Sequence, residues 1–169
     1  WLFFLSVLLY TLSLRAIEAP LETATDSTVD SETYTVVAVI DGDTIEVVDG
    51  IGQRERVRYI GIDTPEFHHE EDIADCLAEE ALRHNQTLVA GKSVELVADV
   101  EDRDVYGRWL RYVAVAGRDV GESLLAAGYA TVLTIPPNVA RADKYRAIVA
   151  TARQEKVGLW GDACKNYVP

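Results

Sequence analysis

Residues 57–66 read V-R-Y-I-G-I-D-T-P-E, and the rest of the chain is organised around this stretch. Its β-branched and aromatic side chains predict a strand. The strand cannot continue past Pro65, because proline lacks the backbone N–H that a sheet needs. We therefore expect a rigid strand to carry Arg58, Asp63 and Glu66 to its end, where a loop opens onto solvent. Two carboxylates and a guanidinium in that position can bind a cation, accept a proton and hold an anion.

The composition limits the size of the fold and the choice of partners. A chain of 169 residues is most economically one domain with a sizeable core. The net charge of −12 would by itself weaken binding to nucleic acids and other polyanions. The acidic excess lies in residues 18–32, 66–80 and 95–104, however, whereas arginines cluster in 54–58 and 103–111. Affinity for phosphate depends on the local electrostatic field of such arginine clusters. Solubility accounts for the acidic exterior, and adaptation to a salt-rich habitat is the alternative.

The first residues are predicted to be a targeting segment. Residues 1–14 are almost wholly apolar, which matches the core of a signal peptide and is short for a membrane span. We expect residues 1–17 to be a truncated signal peptide, or alternatively an uncleaved N-terminal anchor, so that the protein is secreted or held at the membrane outside the cytoplasm. Residues 18–33 are acidic and rich in Thr and Ser, which predicts a flexible linker before a folded domain over 34–169.

Hydrophobic periodicity and turn residues divide the domain into short elements. Strands are predicted at residues 34–40, 44–48, 54–59, 93–98 and 110–115, and an extended segment at 130–135 that ends at Pro136. The first predicted helix covers residues 73–90, with Asp72 as its cap, Gly91 after its end, and Ile73, Leu77, Ala81 and Leu88 on one face. The others are predicted over residues 122–127, stopped by Gly128, and from a cap at Asn138 to Gly158, with Ala142, Tyr145, Val149 and Ala152 facing the core. Taken alone, this pattern predicts an α+β fold.

Two further motifs flank the opening stretch. I-D-G-D-T occupies residues 40–44, and D-V-Y-G-R occupies residues 104–108. Each is common as a turn, but the three motifs together, in this order and at this spacing, resemble the staphylococcal (micrococcal) nuclease family over residues 34–160. The resemblance implies a mainly β, α+β fold, namely a five-stranded Greek-key OB barrel with three helices.

The resemblance also implies a Ca²⁺ site. Asp43 and Asp63 would supply carboxylates and Thr64 a main-chain carbonyl, which are the hard oxygen ligands that calcium accepts. The alternative is that these residues only shape the turns at the ends of strands. Asp41 is either a neighbour of the ligands or a turn residue.

The catalytic residues implied by the resemblance come from the same motifs. Glu66 would act as the general base, and Arg58 and Arg108 would bind the phosphate in its five-coordinate transition state. Tyr106 would donate a hydrogen bond to a substrate phosphate. The alternatives are a solvated loop glutamate and a surface ion pair between Arg108 and Asp104.

Residues 132–138 depart from the family pattern. They read V-L-T-I-P-P-N, without the tyrosines that stack on a nucleobase in the family. Base stacking contributes about 1–3 kcal/mol per base, so substrate affinity or base preference is expected to differ here. His68 and His69 follow Glu66, but two adjacent imidazoles have no metal-binding spacing, and an exposed polar loop is the better interpretation.

The cysteines and tryptophans are interpreted as structural. An exported protein with two cysteines, Cys76 and Cys164, permits one disulfide, and the resemblance makes it plausible because the C-terminal tryptophan of the family packs near the first helix. A free pair or a zinc site lacks supporting ligands. Trp109 and Trp160 are expected to anchor the core.

Together these observations predict an exported, calcium-dependent nuclease that hydrolyses DNA and RNA phosphodiesters with low sequence specificity. It is expected to be a monomer that needs no obligate protein partner. One alternative is an OB-fold module that binds nucleic acid without cleaving it, which would not need Arg58, Asp63, Glu66 and Arg108 together. A magnesium-dependent phosphatase-like hydrolase is a second alternative, for which a third carboxylate is missing.

Overall fold

The structure, a computed structural model, describes residues 33–68 and 73–165. The predicted leader at residues 1–17 and nearly all of the predicted linker lie outside this range. Within it, the strands in chain order are β1 (Tyr34–Val39), β2 (Thr44–Val48), β3 (Arg54–Tyr59), β4 (Ile62–Asp63), β5 (Phe67–His68), β6 (Ile73–Ala74), β7 (Ser93–Val97), β8 (Trp109–Val115), β9 (Arg118–Asp119) and β10 (Thr131–Val132). The helices are α1 (Ala78–Val89), α2 (Val120–Ala126) and α3 (Ala142–Glu155), and two short 3₁₀ helices follow at Gly158–Trp160 and Asp162–Cys164. None of the helices in the described residues is both long and apolar enough to span a bilayer.

Five of the strands close into a barrel. The order is β3-β2-β1-β7-β8, with antiparallel pairing throughout, and β8 returns to pair with β3 in parallel. This closure removes the exposed edges that an open sheet would present. The predicted five-stranded OB-type barrel with three helices is therefore confirmed.

The side chains of β2 and β3 alternate between the core of the barrel and its outer face. Ile45 and Val47 on β2 and Val57 on β3 are fully buried. Burying each such side chain contributes roughly 1.5–3 kcal/mol. Because successive residues of a strand point to opposite faces, the arginines at the even-numbered positions of β3 lie on its outer face.

The first helix begins later than predicted. Ile73 belongs to β6, which pairs with β5 in a short hairpin, and α1 starts only at Ala78. The predicted cap Asp72 lies outside the described residues. Leu77 precedes the helix in a left-handed conformation (φ 67°) without a side-chain cap. The prediction of a helix from residue 73 is therefore wrong, because strand pairing across the loop overrides local helix propensity.

The other two helices also differ at their ends from the prediction. Asp119 caps α2 by accepting the N–H of Glu122 at 2.9 Å, and the helix begins at Val120, two residues before the predicted start. Asn138 does not cap α3, which begins at Ala142; its side chain instead accepts the N–H groups of Val100 (3.0 Å) and Glu101 (2.7 Å). The predicted end of α3 at Gly158 is three residues late, because the helix stops at Glu155 and Lys156 turns left-handed. The predicted core stripe of α3 is confirmed, since all four of its residues are buried: Ala142, Tyr145, Val149 and Ala152.

A short strand pair positions the end of the central motif. β4 pairs with β10 in the register Thr131 to Asp63 and Val132 to Ile62. Gly61 enters β4 with a φ of 83°, and a side chain there would lie only 3.0 Å from the ring of Tyr145. Asp63 is therefore held by backbone pairing at the rim of the barrel.

Candidate active site

The D-G-D-T turn brings a carboxylate against the end of β4. The side chain of Asp41 accepts the N–H of Asp43 at 2.9 Å and so fixes the turn between β1 and β2. Gly42 packs so closely against Thr64 that a Cβ atom would lie 2.5 Å from the threonine Oγ1. Only glycine fits at this position without a shift of one of the two segments.

Asp43 is a buried carboxylate with several donors. It is 3% exposed, and its Oδ2 accepts the N–H of Thr64 (2.9 Å) and the hydroxyl of Thr64 (3.1 Å). Burial raises the pKa of Asp43 to about 7, the positive charge of Arg58 opposes this increase, and the negative charge of Asp41 adds to it. The charged form of Asp43 is thus costly unless further positive charge is supplied.

Arg58 connects the two predicted metal ligands. Its Nη1 lies 3.0 Å from Asp43 Oδ2, and its Nη2 lies 2.6 Å from Asp63 Oδ1. Nη1 also donates to the carbonyl oxygens of Tyr59 (3.0 Å) and Ile62 (2.9 Å). The guanidinium is therefore fixed in place by two backbone and two carboxylate contacts.

Asp63 is the more accessible of the two carboxylates, with a side chain 48% exposed. Burial still raises its pKa, Arg58 lowers it, and Asp41 and Asp75 contribute negative charge. Asp43 and Asp63 thus share the guanidinium of Arg58 at this end of the barrel, with the charges of Asp41 and Asp75 nearby.

The donor chemistry of this cluster suits a hard divalent cation. Asp43 and Asp63 offer carboxylate oxygens, and the excess of negative charge around them favours added positive charge. Among the described residues, no three His, Cys, Asp or Glu side chains come together as a complete metal site. A cation held by Asp43 and Asp63 would therefore need main-chain, water or substrate oxygens as well, and the predicted ligand set of these two aspartates and the Thr64 carbonyl stays a prediction.

Glu66 extends from this cluster into an open cleft. Its side chain is exposed, whereas its backbone is fixed by Asp75: the N–H of Glu66 donates to Asp75 Oδ2 at 3.2 Å, and its carbonyl accepts the N–H of Asp75 at 3.0 Å. The cleft has a volume of about 620 Å³ and is lined by Glu55, Arg56, Glu66, Tyr106, Gly107 and Arg108. Glu66 and Arg108 are therefore brought to one opening, although they lie far apart in the sequence.

Arg108 is oriented by its own loop. Its Nε donates to Asp104 Oδ2 at 2.7 Å, so the ion pair considered from the sequence is present. Burial favours a higher pKa for Asp104, but the hydrogen bonds from Arg108 outweigh burial and hold the pKa of this carboxyl group below its ordinary value. Within the described residues no acceptor binds the Nη atoms of Arg108, and its guanidinium lies 5.5 Å from the ring centre of Tyr106. The tyrosine is 82% exposed and can contact a ligand directly.

A second cavity of about 340 Å³ shares Tyr106 and Arg108 with the cleft. Arg58 also lines it, and Leu133 and Ile135 supply part of an apolar wall. These two aliphatic side chains belong to the segment that lacks aromatic residues.

Two polar residues that support the site were missed by the sequence analysis. Asn85 of α1 is fully buried; it donates to the carbonyl of Asp41 (3.0 Å) and accepts from the hydroxyl of Tyr59 (3.0 Å). A polar residue four positions after Ala81, on the apolar face of the helix, is the signal that could have identified it. Asp75, which fixes the backbone of Glu66, had no such signal.

The cysteines and two of the tryptophans have the structural roles that the sequence predicts. Cys76 and Cys164 form a disulfide with a Cα–Cα distance of 5.8 Å. Trp109 and Trp160 pack against the core, as predicted. His69 lies outside the described residues.

A closed barrel of this topology, with carboxylates and arginines gathered at one end, defines an OB-fold protein with a charged site at the rim of its barrel. The family described as staphylococcal nuclease homologue matches residues 56–162. The thermonuclease of Staphylococcus intermedius is 37% identical over 136 residues, covering 78% of this chain and 78% of the relative. The chain belongs to the staphylococcal nuclease family.

Two relatives from Bacillus subtilis (strain 168) are longer than this chain. Endonuclease YncB and the SPbeta prophage-derived endonuclease YokF are each 38% identical over 128 residues, or 75% of this chain. The match covers 60% of YncB and 43% of YokF, so the chain spans less than two thirds of either relative.

Proposed function

We propose that this protein is a calcium-dependent nuclease that hydrolyses phosphodiester bonds of DNA and RNA with low sequence specificity. The observation that carries the proposal is that Glu66 and Arg108 line one cleft, which shares Arg108 with a cavity lined by Arg58, the partner of Asp43 and Asp63. The names of the relatives, thermonuclease and endonuclease, support the same class of reaction.

The proposed metal ligands are Asp43, Asp63 and the carbonyl of Thr64. When bound, calcium supplies positive charge that offsets the charge on a non-bridging phosphate oxygen. The same charge would compensate the burial of Asp43, whose carboxyl group is otherwise costly to ionise.

The chain's own residues divide the chemistry between them. The carboxylate of Glu66 accepts a proton from the attacking water as the water oxygen bonds to phosphorus. Arg58 and Arg108 donate N–H groups to the phosphate oxygens, on which charge accumulates in the five-coordinate transition state, while the bond to the leaving oxygen breaks and that oxygen takes up a proton from solvent. The planar donor fork of arginine suits this task better than the single ammonium of lysine. Tyr106 donates its hydroxyl to a substrate phosphate.

The nucleobase beside the scissile phosphate would lie against Leu133 and Ile135 in the second cavity. Aliphatic side chains offer apolar contact but no hydrogen-bond donor or acceptor to a base edge. Low sequence specificity follows from such a wall.

The protein is proposed to act outside the cytoplasm as a monomer. The disulfide between Cys76 and Cys164 supports this location, because such bonds persist mainly in oxidising compartments. Detection of the protein in the cytoplasmic fraction alone would contradict it.

The activity is tested by incubating the purified chain with single-stranded DNA and with RNA, in calcium and in excess chelator. We expect cleavage of both substrates in calcium and none in chelator. At limiting calcium, Asp43→Ala should lose activity, whereas Asp143→Ala, a change of an exposed acid on α3, should retain it. Binding of both nucleic acids without cleavage under all conditions would favour the binding module instead.

A further inference from the structure

The outer face of β3 carries three arginines at every second position. Arg54, Arg56 and Arg58 point to the same side of the strand, because side chains alternate between its faces. Neighbouring members of this row are about 6.8 Å apart along the strand. The row therefore leads away from the site of Arg58 in steps that are comparable with the spacing of phosphates in an extended nucleic-acid strand.

Four arginines of β3 and of the loop at residues 103–108 are paired with carboxylates. Arg54 binds Glu46 (2.6 Å) and Arg103 binds Glu55 (2.9 Å), whereas Arg58 and Arg108 bind the aspartates described above. Arg56 differs: among the described residues no carboxylate lies within ion-pairing distance of it. Glu46 is directly opposite Arg56 in the strand register, yet its carboxylate binds Arg54 instead.

Arg56 also faces the proposed reaction site. It lines the cleft of about 620 Å³ together with Glu55, Glu66, Tyr106 and Arg108, and the carboxylate of Glu55 is paired with Arg103. An exposed guanidinium without a carboxylate partner, in a protein with a net charge of −12, is a local positive site at the edge of that cleft.

We propose that Arg56 forms a phosphate-binding subsite for the nucleotide next to the one being cleaved. Its ligand is a backbone phosphate of single-stranded DNA or RNA that runs along the outer face of β3. The inference rests on the proposed nuclease function. Such a subsite adds affinity for longer strands through charge rather than through base stacking, which the aliphatic segment at residues 132–135 does not provide.

The test compares two substrates that differ in the number of phosphates. A dinucleoside monophosphate has only the scissile phosphate, whereas a longer single-stranded oligonucleotide also offers neighbouring ones. We expect Arg56→Gln to raise KM for the oligonucleotide by about 3- to 10-fold without changing kcat, because one charge-assisted contact is lost. The kinetics on the dinucleoside monophosphate should not change, and Arg56→Lys should restore part of the affinity.

The salt dependence of KM, together with a control variant at a different cavity, tests whether the lost contact is to a phosphate. The slope of log KM against log salt for the oligonucleotide should fall by about 0.7 in Arg56→Gln, as expected for one lost phosphate contact on a single strand. Arg118→Gln makes the same charge change on β9, at residues that line a different cavity, and should alter neither quantity.

Equal losses on both substrates would overturn the proposal, since Arg56 would then act at the scissile phosphate or on the fold. No loss on either substrate would overturn it as well. If the unmodified protein cleaves neither substrate, the proposed function fails instead, and the subsite is then tested by fluorescence anisotropy with the oligonucleotide in chelator. A dissociation constant that is the same for Arg56→Gln and the unmodified protein would refute the subsite.

Discussion

A single buried carboxyl group, that of Asp43, makes the stability of the fold depend on pH. Its pKa is raised from 3.8 to about 7 by burial, so the folded state holds a proton that the unfolded chain releases. The contribution of this group to stability is therefore fully present below pH about 4 and is lost as the pH rises through about 7. Without metal, ionised Asp43 is a source of instability.

Asp43→Asn should therefore stabilise the metal-free protein at alkaline pH. We expect the free energy of unfolding at pH about 8, measured by denaturant titration in chelator, to rise by about 1–3 kcal/mol, with little change near pH about 4. In calcium the order should reverse, because only the unmodified protein gains stability by binding the ion. A variant that is less stable than the unmodified protein in chelator at both pH values would contradict this account of Asp43.

The role of Glu66 is separable from binding. Glu66→Gln keeps the size of the side chain and the backbone contacts with Asp75 but removes the proton acceptor. We expect kcat to fall by about 10²–10⁴-fold, while the affinity for a non-hydrolysable oligonucleotide stays within about twofold. Single-turnover kinetics and anisotropy measure the two quantities. Glu79→Gln on α1 is the control, and its kcat should match that of the unmodified protein. Loss of binding in Glu66→Gln would mean that Glu66 holds the substrate or the metal instead.

Among the elements, the barrel strands were the most predictable. The alternation in β3 is strong because Val57 and Tyr59 enter the core while charged residues face outward, and the observed strand at Arg54–Tyr59 has the predicted bounds. The closure of β8 onto β3 was not visible in this pattern and followed only from the resemblance. Parallel pairing between distant strands depends on topology, about which local periodicity carries no information.

The helix ends were mispredicted for a related reason. Asn138 has the side chain of a helix cap, yet it binds the backbone at residues 100 and 101, nearly forty positions earlier in the chain. A local pattern cannot show which of two backbone partners an amide will choose. In the site, the motif residues were brought together, but the supporting contacts of Asn85 and Asp75 came from an element and a loop that carry no motif.

The segment after β10 lacks an aromatic side chain that could stack on a base. Leu133 is 38% exposed and lines the second cavity, where a tyrosine could stack on a base. Leu133→Tyr should therefore lower the dissociation constant of a single-stranded oligonucleotide by about 5-fold or more, since stacking contributes about 1–3 kcal/mol per base. Fluorescence anisotropy in chelator measures this without cleavage. Val139→Tyr adds the same ring outside the residues that line the cavity and should have no effect; an equal gain in both variants would point to non-specific adhesion.

For the molecule as a whole, the disulfide joins the site loop to the C-terminal part of the chain. Cys76 directly follows Asp75, which fixes the backbone of Glu66, and Cys164 is buried in the last 3₁₀ helix. The bond closes a loop with a sequence separation of 88 residues. In the chain-entropy account, a loop of this length restricts the unfolded chain strongly and stabilises the fold by up to roughly 4–5 kcal/mol.

Replacing both cysteines, Cys76→Ser with Cys164→Ser, should lower the free energy of unfolding by up to roughly 4–5 kcal/mol. Denaturant titrations with and without reductant measure this: the unmodified protein should shift to the lower midpoint when reduced, and the double variant should not respond to reductant. A second effect is expected closer to the site, because without the bond Cys76 is no longer tied to the C-terminal 3₁₀ helix and the neighbouring Asp75 orders the backbone of Glu66 less well. Under conditions in which the variant is still fully folded, kcat should therefore fall more than the affinity for an oligonucleotide. Equal midpoints for the oxidised protein and the double variant would show that the disulfide does not stabilise the fold. An unchanged kcat in a destabilised double variant would show that the disulfide acts on stability alone and does not order the site.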